Sequence, residues 1–559
     1  MKAIIHANIY KNSADALLID DGIIQEIDSS ENILKKITNE DESIDLKGAF
    51  LLPGFIDSHI HMLSLGYTLS IVSLKYCQSL DDIKKAIVEH LPKNKEELFV
   101  ARGYNEVSYP YHIGPTKAFL DDISKDIPIV LIRACGHILV ANTKALELAG
   151  ITESVAYENG RIDYETGVVE EKAMDIILSL RKEPTKMELK HYLSLAMKEL
   201  NKHGITSVCS DDFVSLTKDY TNPLDVFLQE SYQGNLTLHI EEQCEFNEAE
   251  DLANFLDDGY TTGVGDDNFE IGPLKVILDG SLGGYTAALT KPYLNSETTG
   301  TLLYDTEDLK EIVHLANTYN MPTIAHAIGD KAVDQALEVF KDEVLENNPL
   351  GYGLVHTQIL RKDQIDKIIE MKLDCYFQSL FIDSDASVLK ERIALELQDT
   401  SYPYKTLLEN TRCANGSDAP VEIPDVLKGI YLAVTRKSTI TGVEMNQNEC
   451  LTIDEAISSY TDRGAEMMSH GDSRGKIEVG YEADLVVLDK DITTCPFEDI
   501  LKTKVIMTIV HGEEVYGKWY NTNHVERKEY GIKNSLGKIQ RKWLKRTWCF
   551  HRRLSCFFK

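Results

Sequence analysis

The sequence predicts an α/β protein: a TIM-like (β/α)8 barrel with a subdomain inserted after its first strand, plus a small β-sandwich formed by both ends of the chain. Three observations predict it. Eight short β-rich runs alternate with segments of helical period, and such serial β/α units close into a parallel barrel. Residues 62–203 separate the first run from the second, far too many for a βα loop. Both ends of the chain read as short alternating strands with too few members to fold alone.

In chain order, residues 1–53 hold AIIHANIY, ALLID, GIIQEID and LKGAFLLP, which alternate apolar and polar positions around an Asp-Gly turn. The barrel domain is expected over 54–470. Its strands are FIDSHIH (55–61), GITSVCS (204–210), LTLHIEEQ (236–243), LKVILDG (274–280), MPTIAHAIG (321–329), YGLVHTQ (352–358), LDCYFQSL (373–380) and TRCANGSDAP (411–420). Between them, Leu309, Ile312, Val313 and Ala316, and then Val333, Ala336, Leu337 and Phe340, recur at the three-and-four spacing of a helix with one buried face. The insertion, about 66–190, carries its own strand-like FVARGY and PIVLIRACGHILVAN and is expected over the barrel mouth. Residues 471–520, with GKIEVGYEADLVVLD and VIMTIVHGEEVY, read as strands turning at Val-Gly and His-Gly and supply the second half of the sandwich. Residues 521–559 form a basic tail. From Val525 onward eleven Lys or Arg face only Glu526 and Glu529, interleaved with Trp543, Trp548, Phe550, Phe557 and Phe558. Such a tail either lies on an anionic membrane surface or is a solvated extension.

Composition narrows the function. The chain of 559 residues is 43% hydrophobic and 26% charged, the balance of a protein that buries a core. Its net charge of −32 repels polyanions, which argues against nucleic acid as a partner. No stretch approaches the roughly 18 to 20 apolar residues of a membrane span, so stable membrane insertion is not expected, and the N-terminus lacks the pattern of a secretory leader. The ten Cys are scattered without a CxxC pair, which fits a reducing cytoplasm better than a disulfide framework.

The chemistry is concentrated at the strand ends. In PGFIDSHIHM, His59 and His61 stand two apart, so a strand aims both imidazoles at one face, where they can share a metal ion. Alone, the pair is a weak signal. It gains force because Lys275 in LKVILDG, His326 in IAHAIGD, His356 in LVHTQ and Asp418 in GSDAP occupy four later candidate strands in an otherwise apolar register. Lys275 has two readings. Its ammonium could pair with Asp279, four residues on, or, its pKa depressed beside metal cations, its neutral amine could react with carbon dioxide to give an anionic bridge. The chain has no G-x-S-x-G elbow and no P-loop, and the glycines of DGSLGG do not open a nucleotide-binding unit.

These motifs resemble the amidohydrolase superfamily, and within it the YtcJ-like branch, amidohydrolase family 3, which is similar to N-substituted formamide deformylases. PGFIDSHIHM, LKVILDGSLGGYTAAL, HAIGD, VHTQ, SDAP and GKIEVGYEADLVVLD stand in the family's order, and RACGHILVANTKALELAG and GVVEEKAMD make the likeness specific to this branch. It covers residues 1 to about 520. The resemblance implies a two-metal centre: His59 and His61 with Asp418 on the more buried ion, His326 and His356 on the more exposed one, and Lys275 bridging as a carbamate made with carbon dioxide. A single ion on the same ligands is the alternative. Zinc is the first choice, with manganese, iron or nickel open to such N/O ligands.

The activity so implied is hydrolysis of a carbon-nitrogen bond other than a peptide bond, an amide or N-formyl group of a small molecule, by a metal-activated hydroxide, with Asp418 as the catalytic base. Substrate contacts are expected from Asp279 and from His137, the latter equally readable as a histidine bonded within the insertion. Relatives often carry Ser-Arg where this chain has Gly284-Tyr285, so an anion-binding arginine is not carried over. A deaminase on the same scaffold is the enzymatic alternative, but its usual Glu just after the fifth-strand His is missing from His326-Ala327-Ile328-Gly329-Asp330. A non-catalytic regulatory or binding protein is the other alternative. Assembly into a homo-oligomer stays open.

Overall fold

The structure, a computed structural model, describes residues 1–517 apart from 39, 95–96, 107–108, 110–111, 134–137, 158–159 and 172. His137 and the basic tail at 521–559 therefore lie outside the described residues.

Eight parallel strands form one sheet: β1 (Phe55–Ile60), β2 (Ile205–Ser210), β3 (His239–Glu245), β4 (Phe269–Ile277), β5 (Thr323–Ala327), β6 (Gly353–His356), β7 (Asp374–Phe377) and β8 (Cys413–Asn415). Their spatial order follows the chain. The two edges meet just past β8, where Asp418 N donates to His59 O at 2.8 Å and His61 N to Ala419 O at 2.9 Å. These bonds satisfy backbone groups that an open edge would leave to water. A glycine permits the approach: a Cβ on Gly416 would stand 2.5 Å from His59 N.

The strands are nearly wholly buried, as expected of a parallel sheet covered on both faces. Leu309, Val313 and Ala316 are buried on helix Thr306–Thr318, and Val333, Ala336, Leu337 and Phe340 on helix Asp330–Phe340, with the spacing read from the sequence. Helix Lys186–Lys202 starts at a Thr185–Glu188 capping box and buries Leu189, Leu193, Ala196, Met197 and Leu200. It packs on helix Met62–Ser70, where a Cβ on Gly66 would fall 1.9 Å from Tyr192 O.

Between β1 and β2 a seven-stranded sheet gathers Val72–Ser73, Phe99–Tyr104, Ile129–Arg133, Ile138–Ala141, Val155–Tyr157, Gly160–Asp163 and Val168–Glu171. Its two faces have hydrophobic clusters of their own, one around Ile83, Ile87 and Leu131, the other around Leu139, Leu146 and Val169. Segments from before and after the barrel strands meet in a five-stranded sheet, in which Phe50–Pro53 runs antiparallel to Leu485–Leu488 with Leu52 opposite Val486. Phe50, Leu52, Val486 and Leu488 join the barrel's hydrophobic cluster. A four-stranded sheet of Lys2–Ile5, Ala16–Asp20, Ile23–Asp28 and Glu42–Asp45 lies beside the N-terminus in sequence, turning at Asp21-Gly22, both at positive φ.

One expectation is corrected. GKIEV is not a strand: residues 475–484 turn through Gly475 (φ +81°) and Gly480 (φ +94°), and only Leu485–Leu488 is extended into the sheet. Glycine conformations open only at a cost to other residues interrupt the alternation there.

Candidate metal centre

His59 is the last residue but one of β1, which is buried throughout, and His61 forms the N-cap of helix Met62–Ser70. The Nε2 atoms of both face the Asp418 carboxylate, at 3.5 Å and 3.1 Å from Oδ1. The three donor atoms all lie within 4.8 Å of one another. His326, near the end of β5, and His356, at the end of β6, stand with ring centroids 4.5 Å apart, and His356 is 5.7 Å from His59. His356 is 2% exposed, while the His326 side chain is 16% exposed.

Each of the four imidazoles is held at Nδ1 by an acceptor. His59 Nδ1 donates to Gln243 Oε1 at 2.6 Å, His61 Nδ1 to Asp211 O at 2.8 Å, His326 Nδ1 to Asp279 Oδ1 at 3.1 Å and His356 Nδ1 to Gln378 Oε1 at 2.7 Å. The glutamines are oriented in turn, since Gln243 Nε2 donates to Ser58 O and Gln378 Nε2 to Tyr376 O. With the proton placed on Nδ1, the neutral form of each ring keeps a lone pair on Nε2, the arrangement that metal-ligating histidines use.

Backbone conformation contributes as well. Asp418 (φ +57°) and His356 (φ +80°) both occupy the left-handed region, costly for residues with a Cβ and typically found where surrounding structure enforces a functional geometry. The Asp418 N–H is held by His59 O, which turns its carboxylate to the two histidines.

The electrostatics favour a cation between these groups. Burial opposes ionisation of Asp418, yet the His61 hydrogen bond and the neighbouring His59 and His356 hold its pKa well below the usual carboxylate range. Burial also works against a charged His61, but the Asp418 bond and the Asp211 charge outweigh it and push the imidazole up to about 9. Burial and nearby His326 bring His356 down to about 3, and burial and Lys275 keep His59 far below the ordinary value. A proton on His61 is thus the counter-charge to Asp418 where a divalent ion would be stronger.

Lys275 lies inside β4, 2% exposed, with Nζ 3.1 Å from Asp211 Oδ2. Its partner is therefore Asp211, just past β2, and not Asp279. Asp279 is 1% exposed, and besides the His326 ring it accepts from the backbone N–H groups of Ala288, Ile328 and Gly329. Four donors reach its two oxygens, so Asp279 holds His326 in place and the expected pairing with Lys275 is corrected. Gln243, Gln378 and Asp211 were missed by sequence reasoning. The only signal was a polar residue at the C-terminal end of a strand, in LTLHIEEQ, LDCYFQSL and GITSVCSDD.

Comparison with known proteins bears on the chain as a whole. The profile of the amidohydrolase family, Amidohydro_3, matches residues 42–516. A protein of Bacillus subtilis (strain 168) that bears the name amidohydrolase YtcJ is 31% identical over 93% of this chain and 100% of its own length. The N-substituted formamide deformylase of Arthrobacter pascens is 23% identical over 91% of this chain and 97% of its own. Among solved structures, a metal-dependent hydrolase from Pyrococcus horikoshii OT3 superposes with a TM-score of 0.73 at 26% identity, covering 89% of this chain and 99% of that one.

Proposed function

We propose, from the premise that this chain belongs to the amidohydrolase family, that it hydrolyses a carbon-nitrogen bond other than a peptide bond, in an amide or N-formyl group of a small molecule. The observation that carries the proposal is the set of four imidazoles pinned at Nδ1, their Nε2 atoms left for a cation around a buried carboxylate. The donor set fits a divalent ion. His59, His61 and Asp418 would hold one ion and His326 and His356 a second, with zinc the first choice. Bound there, the metal lowers the pKa of water from about 15.7 to near 7 and polarises a carbonyl.

The residues of this chain supply the rest. Asp418, ionised and held by His59 O through its backbone, accepts the proton of the attacking water and returns it to the leaving amine. Lys275 Nζ gives one proton to its ion-pair partner Asp211, 3.1 Å away, and the amine so formed attacks carbon dioxide. The new N–C bond gives a carbamate, and the second proton leaves to water. Asp279, Gln243 and Gln378 keep the rings from turning, so ligation costs little reorganisation. We further assign the seven-stranded sheet to a subdomain inserted after β1, and the two small sheets to a terminal sandwich. Among the described residues no helix is long and apolar enough to cross a membrane.

The test is a panel of N-formyl amines, N-acyl amines and ring amidines, offered to zinc-loaded and chelated protein. Release of formate or carboxylate with free amine, lost on chelation, is the expected result. Ammonia released only from the amidines would replace the reading with a deaminase, and full metal occupancy without turnover on any class would favour a binding protein.

A further inference from the structure

The barrel carries a second convergent donor set at its opposite end. His239 opens β3, at the end away from the mouth, and is 2% exposed. Glu482 and Asp484 lie in the turning segment that leads into strand Leu485–Leu488, with side chains 13% and 4% exposed. His239 Nε2 stands 3.3 Å from Glu482 Oε2 and 3.1 Å from Asp484 Oδ2, and the three atoms lie within 4.8 Å of one another.

All three atoms are buried and none has a hydrogen-bond partner. Short as the contacts are, the ring N–H direction of His239 is aligned with neither carboxylate. A protonated imidazole shared by two acids would aim its N–H at one of them. Meanwhile the other polar atom of each residue is committed. His239 Nδ1 donates to Asp267 O at 2.8 Å, Glu482 Oε1 accepts from Arg474 Nε at 3.1 Å, and Asp484 Oδ1 accepts from His511 N at 2.7 Å. Arg474 Nη2 also donates to Asp267 O, tying two of these supports together. Three supported side chains therefore present one bare donor each to a common point. Separations of 3.1 and 3.3 Å lie within a few tenths of an ångström of the edge of roughly 3.3 to 3.6 Å expected for tetrahedral N and O ligands about 2.0 to 2.2 Å from a metal. His511 Nδ1, 3.7 Å from Glu482 Oε2 on the turn at Gly512, is the nearest further ligand.

We propose that His239, Glu482 and Asp484 bind a divalent transition-metal ion, zinc by ligand type, as a structural site distinct from the barrel-mouth centre. The site joins the floor of β3 to the segment entering the terminal sheet, where Ala483 N donates to Gly22 O and Gly512 N to Ala483 O. It fastens the turns at Gly22 and Gly512 to the floor of the barrel.

The test uses zinc itself. Crystals of the full chain grown with zinc chloride, with data at the zinc edge, should show anomalous density about 2.0 to 2.2 Å from the three atoms. Density at the barrel mouth with none here overturns the proposal. In parallel, His239→Gln and Asp484→Asn should each lose one zinc per chain by elemental analysis while turnover and the barrel-mouth zinc persist. An unchanged zinc count in either folded variant would also overturn it; if neither variant folds, the wild-type map decides alone.

Discussion

Asp418 combines a left-handed backbone, a depressed pKa and contact with two imidazoles in one side chain. Asn keeps its size but cannot accept a proton. Asp418→Asn is therefore expected to keep the fold and lose about 10² to 10⁴ in kcat, and near-normal turnover with metal bound would assign the proton to another group. Lys275→Ala should also be inactive. Short carboxylates such as formate should restore part of its activity by occupying the space that a carbamate fills, whereas no rescue at any concentration would leave Lys275 as the ion-pair partner of Asp211. Away from the site, burial raises Asp385 to about 6, although the Tyr402 hydroxyl donates to it at 2.7 Å. The folded chain holds that proton more tightly than the unfolded one. Its contribution is complete below the unfolded pKa of about 4 and is lost as pH rises through about 6. Denaturation of wild type and Asp385→Asn across that window should show the wild-type curve falling by roughly 2 to 3 kcal/mol relative to the variant; parallel curves would refute the shift.

At the scale of elements, the seam between β1 and β8 is the point of least tolerance. Gly416→Ala drives a methyl into His59 N, His59 O and Asp57 Oδ1, all under 3.0 Å. The expected cost is about 1 to 3 kcal/mol of stability together with weaker zinc binding, because the same bonds place His59 and Asp418; unchanged affinity by competitive chelation would separate seam from site. Why the eight strands were legible is clear from their burial: apolar runs bounded by turns have few other readings. The start of β4 was not. Gly272 and Pro273 look like a break, yet the strand runs from Phe269 through both to Ile277. The six metal-type residues could be read because His, Lys and Asp stand out in apolar strands. Their supports could not, since Gln243 meets His59 from 184 positions away, and an uncharged amide near a strand end says nothing of the ring it will hold. Asp279 misled for a related reason. Its spacing from Lys275 suggested a pair, but the strand ends at Ile277 and the chain turns the carboxylate to His326 instead.

For the whole molecule, the family match ends at residue 516, and the basic run begins after it. Truncation at Thr522 is expected to preserve metal content and turnover to within about twofold, since no ligand or supporting residue described above lies beyond His511; a strong loss of turnover with normal metal would give the tail a part in catalysis. The closure of the barrel has a consequence in time. His59 and Asp418 meet across the seam, so the proposed metal centre cannot assemble until the eighth strand has been made. At about 5 to 20 residues per second, the ribosome needs some tens of seconds to travel from one to the other. Throughout that interval β1 has an unpaired edge, and Phe50–Pro53 still waits for the strand at Leu485–Leu488. A nascent chain of this protein keeps an open edge for that whole interval at the strand that carries His59, and it is there that a chaperone, or a misfolded neighbour, can find it.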